Sequence, residues 1–372
     1  MSAIPNIKAL LTRGTRVADL PDHLRLSNLP RMTSISIRAG LRDYFSTYRI
    51  AGVSQVLSQS LSEAPGYEMF RQENSPDYLE AYTQTILHIH YGIELAIKEL
   101  LRQKHPLLAS SNLPDGAVLL YRVLRNEPIS FEDEENLKST EFSEALKRIV
   151  ALDKEKLLDG DLSIIIKNKI LLEQLNTLRN RIIHRGLFVM NYSAFDLVVS
   201  AHIIPFLVKI LTLPQFENKA NERVFSETIP SWKYKKLACG IDPQEEIVKI
   251  EADTDHARKK LALLKELGRA AYENPLDAPE SRLAFVGMDN SIHKSRAEQL
   301  AKHELTNPNP HAYDGAQKIL KCPVCGIHSL VRYNDGDGND TEIICTCCTF
   351  HVNRSLGNAS DYGLPVDDFW SP

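Results

Sequence analysis

Five of the six cysteines lie in one short C-terminal stretch, and four of them form two pairs of the same spacing. Cys322 and Cys325 form one C-x-x-C pair, and Cys345 and Cys348 form the second after nineteen intervening residues. Two such turns on facing hairpins direct four thiolates at one ion, which is the tetrahedral coordination that zinc prefers. Four protein ligands leave no open position for a substrate. The spacing therefore predicts a structural Zn²⁺ site made by these four cysteines.

The segments that flank the cysteine pairs, "HSLVRY" and "TEIICT", have the apolar character of paired strands. Together with the two C-x-x-C pairs they resemble a zinc ribbon. Cys347, inside the second pair, and His351, three residues after Cys348, remain alternative ligands. A structural or redox cysteine cluster without metal is the other alternative. Because binding energy in such units is largely folding energy, we expect loss of Cys322 to unfold the ribbon only.

A second group of polar residues interrupts an apolar run in "LRNRIIHRG", residues 178 to 186. On a helix with about 100° per residue, Arg179 falls inside the apolar arc, whereas Asn180 and His184 are neighbours on the polar side. A histidine can move a proton near neutral pH, and an arginine can hold a phosphate with two hydrogen bonds. RNA supplies its own nucleophile in the 2′-hydroxyl. These residue types therefore suit cleavage of an RNA phosphodiester.

The same stretch is locally basic in a protein whose formal net charge is -4. Between residues 165 and 190 there is one acidic residue, Glu173, and there are five basic ones. Besides Arg179, the predicted RNA-binding residues are Lys167, Lys169, Arg181 and Arg185. Such a patch provides what a phosphate-bearing ligand needs.

The pattern Arg179-Asn180-x-x-x-His184 resembles the Arg, polar, His motif of HEPN domains, and "YGIELAIKELLRQKHPLL" is similar to their first helix. The resemblance covers about residues 77 to 215. It implies a metal-independent endoribonuclease that works as a homodimer, with Arg179 and His184 catalytic and Asn180 orienting them.

The resemblance also implies a prokaryotic toxin or antiviral defence effector, with an antitoxin or defence-system protein as partner. Toxins whose antitoxin is a nucleotidyltransferase usually carry a tyrosine two residues after the histidine. Here that position is Gly186, which argues against regulation by tyrosine modification.

Two other functions remain open on the residues alone. One is a non-catalytic module that binds nucleic acid or nucleotides, and the other is a scaffold whose helices are purely structural. In both cases Arg179 would be a structural residue paired with a carboxylate such as Glu94. Toxicity on expression that is relieved by changing His184 would separate these alternatives from a nuclease.

Helical periodicity predicts the elements that position these residues. Apolar residues at three-to-four spacing predict helices from about Asp77 to Pro106, in "STEFSEALKRIVAL", from Ser163 to His184 and in "SAFDLVVSAHIIPFLVKIL". Pro205 should kink or split the last of these helices. The predicted fold class is therefore mainly α, a HEPN-like helical bundle with a small C-terminal β zinc ribbon.

The chain divides by composition into four parts. Residues 1–75 have no assigned role, residues 76–240 form the bundle, residues 241–310 form a charged, solvated helical linker, and residues 311–372 form the ribbon and a polar tail. The hydrophobic content of 43% and charged content of 25% are ordinary for a soluble protein of 372 residues.

Composition also bounds the location of the protein. No segment approaches the roughly 20 apolar residues that span a bilayer, and the N-terminus lacks the apolar core of a secretory signal. Clustered cysteines without such a signal favour metal binding in a reducing compartment. We therefore expect a cytoplasmic protein with no membrane partner and no catalytic metal.

Overall fold

The fold is known from a computed structural model, which describes most of the chain from residue 31 onward. The described residues are 31–50, 76–112, 117–125, 127, 137–158, 162–185, 189–190, 192–216, 225, 228–250, 254–274, 276, 290–306, 315–334 and 340–370.

Eleven α-helices and four strands make up the described part, which confirms the predicted fold class of a mainly helical protein with a small C-terminal sheet. The helices are α1 (Arg31–Ile50), α2 (Pro76–Lys104), α3 (Ala117–Leu124), α4 (Phe142–Lys154), α5 (Ser163–Lys167), α6 (Lys169–Arg185), α7 (Tyr192–Val198), α8 (Ile204–Leu211), α9 (Pro243–Val248), α10 (Asp255–Tyr272) and α11 (Asn290–Thr306). The strands are β1 (Ala316–Lys321), β2 (His328–Asn334), β3 (Asp340–Cys345) and β4 (His351–Asn353).

Helices α1 and α2 cross in close contact, although the sequence assigned no role to the segment that contains α1. A Cβ atom at Gly40 would lie 2.6 Å from Cγ1 of Ile89, and one at Gly92 would lie 2.5 Å from Cγ1 of Ile37. Each glycine therefore receives an isoleucine of the other helix, and any larger residue would force the helices apart. Both isoleucines are fully buried, so α1 forms part of the same core as α2.

The predicted third and fourth helices are both interrupted, each for a local reason. Asn168 separates α5 from α6, and its amide nitrogen donates to the carbonyl of Ile164 at 2.8 Å. Between α7 and α8 the backbone forms a π-helical turn, Val199–Ile203, and Pro205 follows in the first turn of α8. A proline lacks the N–H for the α-helical hydrogen bond and clashes with the carbonyl four residues earlier, which accounts for the π-helical turn before it; the chain stays helical through this turn.

Among the described residues one segment, Ala194–Leu211, is long and apolar enough to cross a membrane. The expectation that no segment comes near this length was therefore wrong. However, 56% of the segment is buried inside the protein, and Phe195, Ile203 and Leu207 belong to the core. The segment is the core helix of a folded domain.

Helix α10 is largely buried, which corrects the prediction of a solvated linker for this stretch. Its buried residues include Lys265, Glu266 and Arg269, charged groups that the sequence pattern placed in water. Tyr272 stacks on Phe45 of α1 with ring centroids 4.5 Å apart. The helix also contacts β4 and two short 3₁₀ helices after it, so it links the bundle to the C-terminal unit.

The sheet is antiparallel in the order β1-β2-β3-β4. The predicted pairing of the two flanking segments is confirmed, because Val331 of β2 lies opposite Ile344 of β3. The chain that follows β4 returns over the sheet, where Arg332 donates to the carbonyl of Phe369 at 3.4 Å and Trp370 donates to that of Gly357 at 3.0 Å. The polar tail is therefore a packed part of this unit.

Candidate metal centre and polar cluster of the bundle

The four cysteines selected by their spacing lie together at one end of the sheet. The sulfur atoms of Cys322, Cys325, Cys345 and Cys348 all lie within 4.8 Å of one another. Two of the contacts are 3.5 Å, from Cys322 to Cys348, and 3.8 Å, from Cys325 to Cys345. A tetrahedron with Zn–S bonds of about 2.3 Å has edges of about 3.8 Å. The four thiols can therefore hold one metal ion, and their geometry is compatible with structural zinc.

Hydrogen bonds to sulfur support the second cysteine pair. The backbone N–H groups of Cys347 and Cys348 both donate to the sulfur of Cys345 at 3.4 Å, and the Ser329 hydroxyl lies 3.2 Å from it. Burial raises the pKa of the Cys348 thiol. A bound cation would oppose this effect, because a coordinating thiol loses its proton.

The two alternative ligands lie outside this group of four sulfurs. His351 has its Nε2 atom 2.7 Å from a carboxylate oxygen of Glu342, so its ring is engaged elsewhere. Cys347 is half-buried and is not a member of the four-sulfur cluster. The positions of the sulfur atoms therefore agree with the two C-x-x-C pairs as the four ligands.

Helix α10 holds the second cysteine pair through two buried charges. Arg269 donates to the backbone carbonyl of Thr349 at 2.6 Å and to its hydroxyl at 3.2 Å, while Glu266 accepts from the N–H of His351 at 2.8 Å. Arg269 and Glu266 also pair with each other. Thr349 has a positive φ of 59°, a conformation uncommon for a residue with a side chain. The hydrogen bonds of Arg269 and Glu266, which together we call the Arg269 and Glu266 clasp, fix the backbone that follows Cys348.

Two further segments hold the cysteine unit against the helices. The N–H groups of Ala238 and Cys239 donate to the carbonyls of Val324 and Pro323 at 3.3 and 2.9 Å, inside the first cysteine pair. The Thr346 hydroxyl, inside the second pair, donates to the carbonyl of Ala297 on α11 at 2.8 Å. The ribbon therefore contacts a turn at Ala238 and Cys239 as well as α11.

The predicted catalytic residues lie on α6. Arg179 is half-buried and donates from Nη1 to the side-chain oxygen of Asn180 at 2.8 Å. His184 is exposed one turn further along. Residues five positions apart are separated by about 140° around a helix, so Arg179 and His184 leave α6 in different directions. Within one chain Arg179 therefore contacts Asn180, whereas the His184 side chain points away from this pair.

A buried polar cluster from α2 lies next to Arg179, and its centre is His90. His90 is 3% exposed, its Nε2 atom is 3.0 Å from the Asn176 side-chain oxygen, and its Nδ1 atom is 3.8 Å from Glu94. Burial lowers the pKa of His90, and the positive charges of Arg179 and Lys98 act in the same direction. Glu94 makes its close ion pair with Lys98, at 2.5 Å, and not with Arg179 as the structural alternative supposed.

His90 also packs on Phe142, with ring centroids 4.6 Å apart. Its contact with Asn176 was not predicted. The available signal was weak: both positions lie on helical faces, and only the crossing of α2 and α6 brings them together.

The three residues of the predicted basic patch whose side chains are described do not all line one cleft. Lys169 pairs with Glu173 at 3.6 Å, whereas Lys167 of α5 and Arg181 of α6 line the same cleft. The side chain of Arg185 lies outside the described residues, as does Gly186. The cleft has a volume of about 470 Å³ and lies between α6 and the α7 segment.

Comparisons of the chain with protein-family models, with curated proteins and with solved structures gave no match in any of the three.

Proposed function

We propose that the protein is a metal-independent endoribonuclease of the HEPN type that cuts RNA by attack of the 2′-hydroxyl. The observation that carries the proposal is the bond from Arg179 to Asn180 beside an exposed His184 on one helix. His184 moves the proton of the 2′-hydroxyl or of the leaving oxygen, and Arg179 stabilises the charge that builds on the phosphate. The products are a cyclic phosphate or a 3′-phosphate, and no catalytic metal takes part.

The orientation of the two residues requires a second copy of the chain. Because Arg179 and His184 point in different directions from α6, a homodimer that apposes two α6 helices can complete the site. Ile183, next to His184, is 46% exposed, which suits an apolar contact at such an interface. The same helix then contributes both the active groups and the dimer contact.

The biological setting of the proposal is a cytoplasmic toxin or antiviral defence effector. The four-cysteine cluster holds a structural zinc, since thiolates are soft ligands and four of them close the coordination sphere. This zinc stabilises the fold and takes no part in cleavage. The partners are RNA and an antitoxin or defence-system protein.

The test is incubation of purified full-length protein with total RNA and mapping of the cut ends. His184→Ala should cut about 10²–10⁴-fold more slowly, the usual worth of a positioned proton transfer. His303→Ala is the matched control, because His303 is also exposed on a helix, α11, but lies outside the proposed site. Cleavage should persist in EDTA under conditions that leave the structural zinc bound.

Two results would reject the nuclease. One is cleavage that depends on added magnesium, and the other is a His184→Ala variant as fast as the wild type. RNA binding that survives without cleavage would instead support the non-catalytic binding module. Sedimentation that shows a monomer at micromolar concentration, with and without RNA, would contradict the dimer.

A further inference from the structure

The cleft beside α6 has an aliphatic floor and a cationic rim. Twelve described residues line it. The floor consists of aliphatic and methionine side chains, namely Ile170, Leu171, Leu175, Leu178, Met190 and Val198. Of these, Ile170 is 75% exposed, which is unusual for an isoleucine on a helix of a folded core. An exposed apolar surface of this kind is typical of a binding site for a ligand or a partner protein.

The charges on the rim select an anionic occupant. Lys167, the last residue of α5, lies near one end of the cleft, and Arg181, near the end of α6, lies near the other. None of the twelve lining residues is an aspartate or a glutamate. A partner that places carboxylates against the rim would therefore meet complementary charge at both ends of the cleft.

The composition of the floor separates the candidate occupants. Single-stranded RNA is held by stacking of its bases on aromatic side chains, and none of the twelve lining residues is Phe, Tyr or Trp. A second copy of this chain would use the same patch on both sides of a twofold axis, which would place the cationic rim of one copy against the cationic rim of the other. A row of leucine-sized side chains on an acidic helix fits both the floor and the rim.

The dimensions agree with a helical occupant. Lys167 and Arg181 are fourteen positions apart along a nearly continuous helical stretch, which corresponds to about 21 Å at 1.5 Å per residue. That length matches about four turns of a bound helix.

We propose that this cleft is the docking site for an acidic amphipathic helix of a partner protein. Leucine-like side chains at i, i+3 or i+4 and i+7 enter the floor, and glutamates or aspartates on the flanks pair with Lys167 and Arg181. Arg181 and His184 are one turn apart on α6, so the partner would lie next to His184. Any effect on RNA cleavage rests on the proposed nuclease, whereas the docking itself does not.

The test uses two fluorescein-labelled synthetic helices of about four turns, with leucines at i, i+3, i+7 in one and at i, i+4, i+7 in the other, and glutamates elsewhere. Fluorescence anisotropy with the full-length His184→Ala protein measures binding, so the result does not depend on cleavage. At least one acidic helix should bind. Its affinity should fall about tenfold or more in Ile170→Ser and in Arg181→Glu, and it should weaken with salt.

Matched controls separate binding in the cleft from nonspecific binding of the labelled helices. Val118→Ser and Lys147→Glu change exposed residues on α3 and α4, and they should leave the affinity unchanged. Versions of the helices with lysine for glutamate, or with scrambled order, should bind at least about tenfold more weakly.

Four outcomes would overturn the proposal. The first is that neither acidic helix binds. The second is that acidic, basic and scrambled helices bind with the same affinity. The third is that the cleft variants bind the acidic helix as tightly as the wild type does. The fourth is capture of the cleft by another occupant. In that case a single-stranded oligoribonucleotide displaces the helix and loses affinity in the same variants, or Ile170→Ser dissolves a dimer seen by sedimentation.

Discussion

Arg179 is a charged residue in the apolar arc of α6, and its guanidinium is what the proposed chemistry depends on. One of its nitrogens donates to Asn180, and the planar group can offer others to a phosphate. We expect Arg179→Lys to cut RNA about 10²–10³-fold more slowly, because lysine keeps the charge but loses the fork. Asn180→Ala should lose less, since Asn180 only orients the arginine. Single-turnover cleavage rates measure both, and an Arg179→Lys variant of wild-type rate would remove Arg179 from the mechanism.

His90 should make the stability of the bundle depend on pH. Burial holds its folded pKa below the ordinary value of 6.5, so the unfolded chain binds the proton more readily. The stabilisation is complete above pH 6.5 and is lost as the pH falls through the lower folded value. Urea unfolding at pH 7, 6 and 5 should show a steeper loss of stability for the wild type than for His90→Gln. His303→Gln, at an exposed position of α11, should follow the wild type, and parallel curves for all three proteins would contradict the prediction.

Helix α10 is held to α7 by an ion pair in the middle of the core. Lys265 is 3% exposed and Asp196 is 1% exposed, and the Tyr44 hydroxyl donates to Asp196 at 3.3 Å. Burial lowers the pKa of Lys265 to about 8 and raises that of Asp196, while the attraction between them opposes both shifts. Asp196 therefore stabilises the charged form of Lys265 against the cost of its burial.

Breaking that pair from one side should be costly. We expect Lys265→Met to lose about 3–5 kcal/mol of unfolding free energy, because it leaves a buried carboxylate unpaired. The double change Lys265→Met with Asp196→Leu should recover most of the loss. Lys259→Met on the same helix breaks only the partly exposed pair with Asp255 and should cost less than about 1 kcal/mol. Denaturant unfolding measures all three, and a double variant no more stable than Lys265→Met would show that the pair is not the reason.

The cysteine unit and the helical body share one hydrophobic core in the described residues, since Cys322, Cys345 and Phe350 cluster with residues of α1 and α10. This changes the expectation that loss of Cys322 would unfold the ribbon only. The Arg269 and Glu266 clasp and the contact to Ala297 tie the metal centre to α10 and α11. Disruption of the centre should therefore spread into the helices.

We expect removal of the metal to lower the unfolding temperature of the helical part as well. Far-ultraviolet circular dichroism follows the helices during heating, with metal analysis on the same samples. Cys322→Ser should lose the metal and melt earlier, and Cys347→Ser should keep both the metal and the melting temperature, because Cys347 lies outside the four-sulfur cluster. A helical melting temperature that is equal in Cys322→Ser and wild type would show that the units are independent. Loss of metal in Cys347→Ser would show that the ligand choice is wrong.

The four-cysteine cluster could be predicted from the sequence because its information is local. Each C-x-x-C pair forms its own turn, and the apolar segments beside the pairs form the strands that bring the two turns together. Helical periodicity is local in the same sense, so α2 and the mainly α fold class followed from it.

The surroundings of the charged residues could be determined only by the tertiary structure. Lys265, Glu266 and Arg269 resemble the solvated face of a linker until Asp196 and Thr349, distant in the sequence, arrive as their partners. His90 meets Asn176 through a helix crossing, and Lys167 and Arg181 become the rim of a cleft because the α7 segment packs beside α6. The residue type at one position determines its charge. The dielectric environment and the partners of that charge come from other parts of the chain, and they decide whether the charge is buried, paired or available to a ligand.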